Sequence, residues 1–200
     1  FFFLVGIYHM SYVVTAQKPT SVSDAITGNF TSPDEVNLII SKFSRLEIHT
    51  LTPEGLQPFL DIGIYGRISS MHLFRPQNEM QDLLFVTTEQ YKFCVLAYDS
   101  ATGEIITRAN GDVHDRAGKP VEHSQLAIID PENRLIALHL YIGLLTIIPM
   151  NAETGELSEA FNMRIEETQV LGINFLHSCD KPTVAILHQG TDKNETRYIE

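Results

Sequence analysis

Tryptophan is absent from the 200 residues, so the Trp-Asp signature of ordinary WD repeats is missing. Cysteine is nearly so. Cys94 and Cys179 stand far apart, Cys94 inside an apolar run. They read as two buried thiols in a reducing compartment, although spacing alone leaves one disulfide open. No run of Lys and Arg occurs, and 14 basic against 25 acidic residues give a formal net charge of −11. Phosphate backbones are bound by displacing counterions with basic side chains, so direct, sequence-independent DNA binding is not expected. No apolar stretch reaches the roughly 20 residues that a membrane helix needs. The opening FFFLVGIYH is too short to span, and it lacks the basic region and small-residue cleavage site of a signal peptide. Residues 1–9 are read as an upstream or non-native extension, with Met10 as the start; a remnant of a signal segment is the alternative. The glycosylation triplets at Asn29 and Asn194 matter only in a secreted chain.

Motifs of catalysis are missing as well. The eight histidines show no HxH or HExxH spacing, and no CxxC occurs. His177 and Cys179 form a lone pair too small for a metal site. There is no GxSxG, P-loop or GxGxxG. Ser178 and Asp180 flank Cys179, but adjacency in a turn does not make a triad. His139 and His188 lie in apolar runs and read as strand histidines satisfied by neighbouring carbonyls. Glu166–Glu167 reads as a solvated turn. No catalytic, cofactor-binding or metal-binding residue is assigned, and no enzyme activity or cofactor is expected.

What is present is a repeat. Four apolar runs, VNLII at Val36, LLFVT at Leu83, LIALH at Leu135 and TVAIL at Thr183, recur roughly 47, 52 and 48 residues apart, near the spacing of propeller blades. Each is followed by a second β-rich run: RLEIHTL, KFCVLAY, LLTIIPM and ETRYIE. Turns such as TPEG, SATG and NAETG come next, and a further strand, ISSMHLF, QLAIID or VLGINFL, precedes the last three repeats. Val, Ile, Leu, Phe and Tyr fill the strands, and Gly, Asn, Asp and Pro fill the breaks. TSPDEVNLIISK has the start of a capped helix, but its β-branched content and its place in the repeat favour a turn and a strand. The fold expected is all-β: a partial β-propeller of about four four-stranded antiparallel blades. An open arc of that size leaves a sheet face and edges uncovered, so a longer protein is expected.

One connection stands out. Ala109–His123, ANGDVHDRAGKPVEH, is long for a propeller loop and carries both signs of charge. Long connections are usually functional or disordered. Arg116 and Lys119 could anchor a protein partner; a flexible polar loop is the plain alternative.

The residues from Met10 onward resemble a known family. MSYVVTAQKPT at Met10, ITGNFTS at Ile26, GIYGRI at Gly63, IITRANGDVHDRAGKP at Ile105 and IIDPENRLIALHLYIGLLTIIP at Ile128 are similar to the large subunit of the UV-damaged-DNA-binding complex. The resemblance implies an adaptor of three seven-bladed propellers, of which this chain, residues 10–200, would supply the first part of the first ring. It implies a non-enzymatic scaffold of a cullin-RING ubiquitin ligase, acting in damaged-DNA recognition and nucleotide-excision repair, in the nucleus and also the cytoplasm. The implied partners are WD-type substrate receptors and the small DNA-damage-binding subunit. The cullin scaffold would be met through other parts of the protein, DNA only indirectly, and no membrane. By the same resemblance Asp115, Arg116 and Lys119 lie on the receptor-facing side. The family pattern has arginine where this chain has Lys119, and lysine lacks the planar two-point fork. The alternative reading is a nucleic-acid-binding propeller of an RNA-processing or splicing relative; a propeller enzyme with a metal in its channel is a further rival.

Overall fold

The computed structural model describes residues 16–122, 125–190 and 193–200; Phe1–His9 and the start at Met10 lie outside them. Among the described residues every regular element is a strand. The first sheet holds β1 (Asp24–Gly28), β2 (Asn37–Lys42), β3 (Arg45–Thr52) and β4 (Gly55–Gly63). The second holds β5 (Ile68–Phe74), β6 (Leu83–Thr88), β7 (Lys92–Asp99) and β8 (Glu104–Asp112). The third holds β9 (Leu126–Ile129), β10 (Leu135–Tyr141), β11 (Leu144–Pro149) and β12 (Phe161–Arg164). The fourth has three strands: β13 (Val170–Phe175), β14 (Val184–Gln189) and β15 (Asn194–Ile199). Every pairing is antiparallel between chain neighbours, so each sheet is a meander.

The first strands converge. β1 touches β5, β5 touches β9, and β9 touches β13, which sets four blades side by side around a common axis. The four recurrent apolar runs become β2, β6, β10 and β14, the second strand of each blade. TSPDEVNLIISK forms turns followed by β2, not a helix.

Apolar density in these strands has a specific cause. Strand side chains alternate between faces, and each blade is covered on both. In β6, Leu84 and Val86 pack towards blade 1 with Phe30, Ile39, Leu46 and Ile48. Leu83 and Phe85, which alternate with them in sequence, pack towards blade 3 with Ile136, Leu138 and Ile148. In blade 3, Ala137, Leu145 and Ile147 turn the other way to meet Val170, Phe175, Val184 and Ile186. The core is therefore three seams between blades, and a strand feeding two seams must be apolar at nearly every position.

Several expectations change. Ala109–Asp112 belongs to β8, so the unusual connection begins at Val113. Glu167 is not solvated: its side chain is 5% exposed and accepts a hydrogen bond from Arg197 Nη1 at 2.7 Å. Burial, the largest single influence, pushes its carboxyl up, but the Arg197 hydrogen bond, its own backbone N–H and the nearby positive charge together hold it below its ordinary value. Glu166 does face solvent and shares Arg197 at 3.0 Å. His139 is buried, and its Nε2 has no hydrogen-bond partner among the described residues. Both cysteines are free and only half-buried.

Candidate protein-interaction surface

Because the strands alternate in direction, the connections fall at two ends of the blades. The β2–β3, β6–β7 and β10–β11 hairpins share the upper end with the blade-to-blade crossings. This is seen where Ile68 N–H donates to Phe43 O and Val113 N–H donates to Tyr91 O. The lower end carries the β1–β2, β5–β6 and β9–β10 connections, joined where Asp82 N–H donates to Asn29 O.

The segment Val113–Glu122 crosses from blade 2 to blade 3 at the upper end. Its composition is that of a mobile polar loop, yet its backbone is held throughout. Asp115 N–H donates to Tyr141 Oη at 2.9 Å. The Asp115 carboxylate accepts from the backbone of Ala117 at 2.8 Å and Gly118 at 3.2 Å, and from Asn162 Nδ2 at 3.0 Å. Ile142 N–H donates to Lys119 O, Val121 N–H to Leu140 O, and Pro120 bridges to Tyr141. Tyr141 is the buried pivot. Its ring stacks on Tyr91 at 5.1 Å, and Tyr91 packs on His114 at 5.6 Å. Burial pushes the Tyr141 hydroxyl above its ordinary value, so it stays protonated. At Gly118 an added Cβ would sit 2.6 Å from the Tyr141 ring, so only glycine lets the segment lie this close.

The three residues singled out from the sequence thus divide in role. Asp115 is turned inward and spends its carboxylate on the segment itself. Arg116 is exposed. The Lys119 ammonium lies 3.4 Å from Glu122, both side chains 72% exposed, a pairing worth little in water. The arrangement is a rigid ledge that presents two basic groups to solvent. The supports Tyr91, Tyr141, Gly118 and Asn162 were not apparent from the sequence. The only local signal was a glycine in the charged run and a tyrosine ending an apolar strand.

Elsewhere the candidate chemistry does not assemble. No group of three or more His, Cys, Asp or Glu side chains could hold a metal among the described residues. Cys179 Sγ faces the His177 carbonyl at 3.7 Å, not its ring. The Cys94 thiol is pushed up to about 11 by burial, which leaves it unreactive.

The sheets, seams and spacing have a counterpart among known proteins: the family described as the RSE1/DDB1/CPSF1 first beta-propeller matches residues 21–200. The chain belongs to this family. Within the RSE1/DDB1/CPSF1 first-propeller group it is similar to DNA damage-binding protein 1a of Arabidopsis thaliana, 57% identical over 190 residues, covering 95% of this chain and 17% of that protein. It is equally similar to DNA damage-binding protein 1 of Solanum lycopersicum, at 57% with the same coverage. The rice protein of that name is 55% identical over 190 residues. The chain thus spans about a sixth of the length of these relatives. It has the first-propeller fold and is a homologue of DNA damage-binding protein 1.

Proposed function

We propose that this chain is a non-catalytic protein-interaction module of a cullin-RING ubiquitin-ligase adaptor that serves damaged-DNA recognition and nucleotide-excision repair. The observation that carries the reading is 57% identity, across 95% of the chain, to proteins named DNA damage-binding protein 1. The ledge at Val113–Glu122 supports it physically. A segment already ordered by Tyr141 and Asn162 loses little entropy when a partner docks, which is how preorganisation raises affinity. In this reading Arg116 and Lys119 meet a WD-type substrate receptor, or the small DNA-damage-binding subunit, while Asp115 positions them. The adaptor acts by placement: tethering raises the effective concentration of a substrate near the ligase. It works in the nucleus and also the cytoplasm, the cullin binds elsewhere on the protein, and DNA is reached through the receptor.

The double change Arg116→Ala and Lys119→Ala in the intact protein tests this. Co-purification of WD-type receptors is expected to fall about tenfold or more, in the range of interface hot spots, with the melting midpoint unchanged because neither side chain is packed. Receptor binding at the original level would contradict the assignment of these two residues. Tight binding of naked duplex DNA with a steep salt dependence would favour the nucleic-acid-binding alternative.

A further inference from the structure

At the lower end, polar side chains in the connections reach from blade to blade. Between blades 1 and 2 the pieces are Asn29, Arg75 and Asp82. The Asp82 carboxylate accepts from Asn29 N–H at 2.6 Å and from Arg75 Nε at 2.8 Å, and Arg75 Nη2 donates to Asn29 Oδ1 at 3.0 Å. Three residues from two blades thus close a ring of hydrogen bonds. Arg75 passes the link on to blade 3, because its carbonyl accepts from Asn133 Nδ2 at 2.7 Å. Two backbone bonds join the same pair of blades, from Gln77 N–H to Ala152 O and from Asn78 N–H to Glu153 O. Asn133 makes its reach from a positive φ of 56, a conformation that asparagine tolerates.

Between blades 3 and 4 the link is a single arginine. The Asp130 side chain is fully buried. Arg134 Nε donates to one of its carboxylate oxygens at 2.7 Å and Nη2 to the other at 3.1 Å, and Arg134 N–H adds a third bond at 3.2 Å. This two-point fork fixes the guanidinium in orientation as well as position. Its Nη1 lies 3.2 Å from Glu132 Oε2 and crosses the seam to the carbonyls of Cys179 at 3.3 Å and Asp180 at 2.9 Å. Those carbonyls belong to the β13–β14 connection, which the apolar seam does not hold: its buried members stop at Phe175 and resume at Val184. All four blades are therefore linked along the lower end, from Asn29 to Asp180.

We infer that these contacts form one strap that fixes the angles between blades 1 to 4 from below, with Arg134 the clasp that registers blade 4 on blade 3. Apolar seams are non-directional, so they hold the blades together without setting their angle; forked hydrogen bonds have direction and do set it. The inference does not depend on which partner the upper end meets. Hydrogen–deuterium exchange on the intact protein tests it with Arg134→Lys, Arg134→Gln and Asn133→Gly. Lysine keeps a cation beside the buried Asp130 carboxylate but lacks the planar fork that serves the carboxylate and both carbonyls at once. Exchange in residues 176–183 is expected to be about tenfold or more faster in Arg134→Lys, since hydrogen bonds to a charged group are lost there, with the urea midpoint close to wild type. Arg134→Gln leaves the Asp130 carboxylate without its cation and is expected to lower the midpoint as well. Asn133→Gly keeps the positive φ and is expected to speed exchange at Gln77 and Asn78, whose amides cross the neighbouring junction. Wild-type exchange in residues 176–183 of Arg134→Lys, or at Gln77 and Asn78 of Asn133→Gly, would overturn the inference. So would equal acceleration in all four sheets, which would make these side chains general supports of the core and not clasps between blades.

Discussion

Two histidines show what burial does to single residues here. His72 on β5 and His139 on β10 are both pushed below their ordinary value by burial; at His72 a hydrogen bond with the Ala127 backbone and the Asp24 charge oppose the shift without cancelling it. A neutral imidazole in the fold takes up its proton less readily than the same group in the unfolded chain. Stability from this source is therefore complete above the free value of about 6.5 and declines as pH falls through it towards the folded values. Glu167, held below its ordinary value, adds a second decline at more acidic pH, as the unfolded carboxylates and then the folded one take up protons. Urea midpoints of the intact protein measured from pH 8 to pH 4 are expected to be flat at first and then to fall below about pH 6.5. His139→Phe is expected to weaken that first step. A midpoint that rises as pH drops from 7 to 5 would show the assignment to be wrong. None of this was legible in the sequence. A histidine in an apolar run looks the same whether or not a carbonyl meets it, and Glu167 became buried through Arg197, 30 residues away.

At the scale of the strand, legibility depended on how many neighbours a strand has. β6 and β10 stood out because each sends alternate side chains into two seams. β12 did not stand out as a strand: its four residues are mostly exposed and only β11 pairs with it. β1 was equally quiet, with an Ala-Ile-Thr-Gly run half open to solvent. The Val113–Glu122 segment was ambiguous for another reason. Its order comes from Tyr141 and Asn162, 26 and 47 positions from Asp115, and no local pattern encodes such partners. The seam account makes a clear demand at Phe85, which is fully buried between blades 2 and 3 and packs on Phe93. Phe85→Ala is expected to cost about 3–5 kcal/mol, as deletion of a buried aromatic ring does. Phe161→Ala, at a half-exposed position, should stay within about 1 kcal/mol. Equal costs in urea melts would mean that the seams are not the core.

The whole molecule divides its tasks by direction. Radially, apolar seams hold blade to blade; axially, the two ends differ, with the blade-to-blade crossings gathered at the upper end. The number of blades and the all-β class were legible from repeat length and turn chemistry. Which end carries the ledge was not, because it follows from strand direction summed over the meander. The direct test of the account is hydrogen–deuterium exchange on the intact protein, alone and with a bound WD-type substrate receptor. Without receptor, the amides of the inner strands β2, β3, β6, β7, β10, β11 and β14 should exchange slowest, since each lies between two hydrogen-bonded neighbours in its sheet. With receptor, new protection is predicted in the upper-end segment Val113–Glu122 and not in the lower connections around Asp34, Glu54 and Glu132. Protection confined to the lower end, or none in Val113–Glu122, would contradict it.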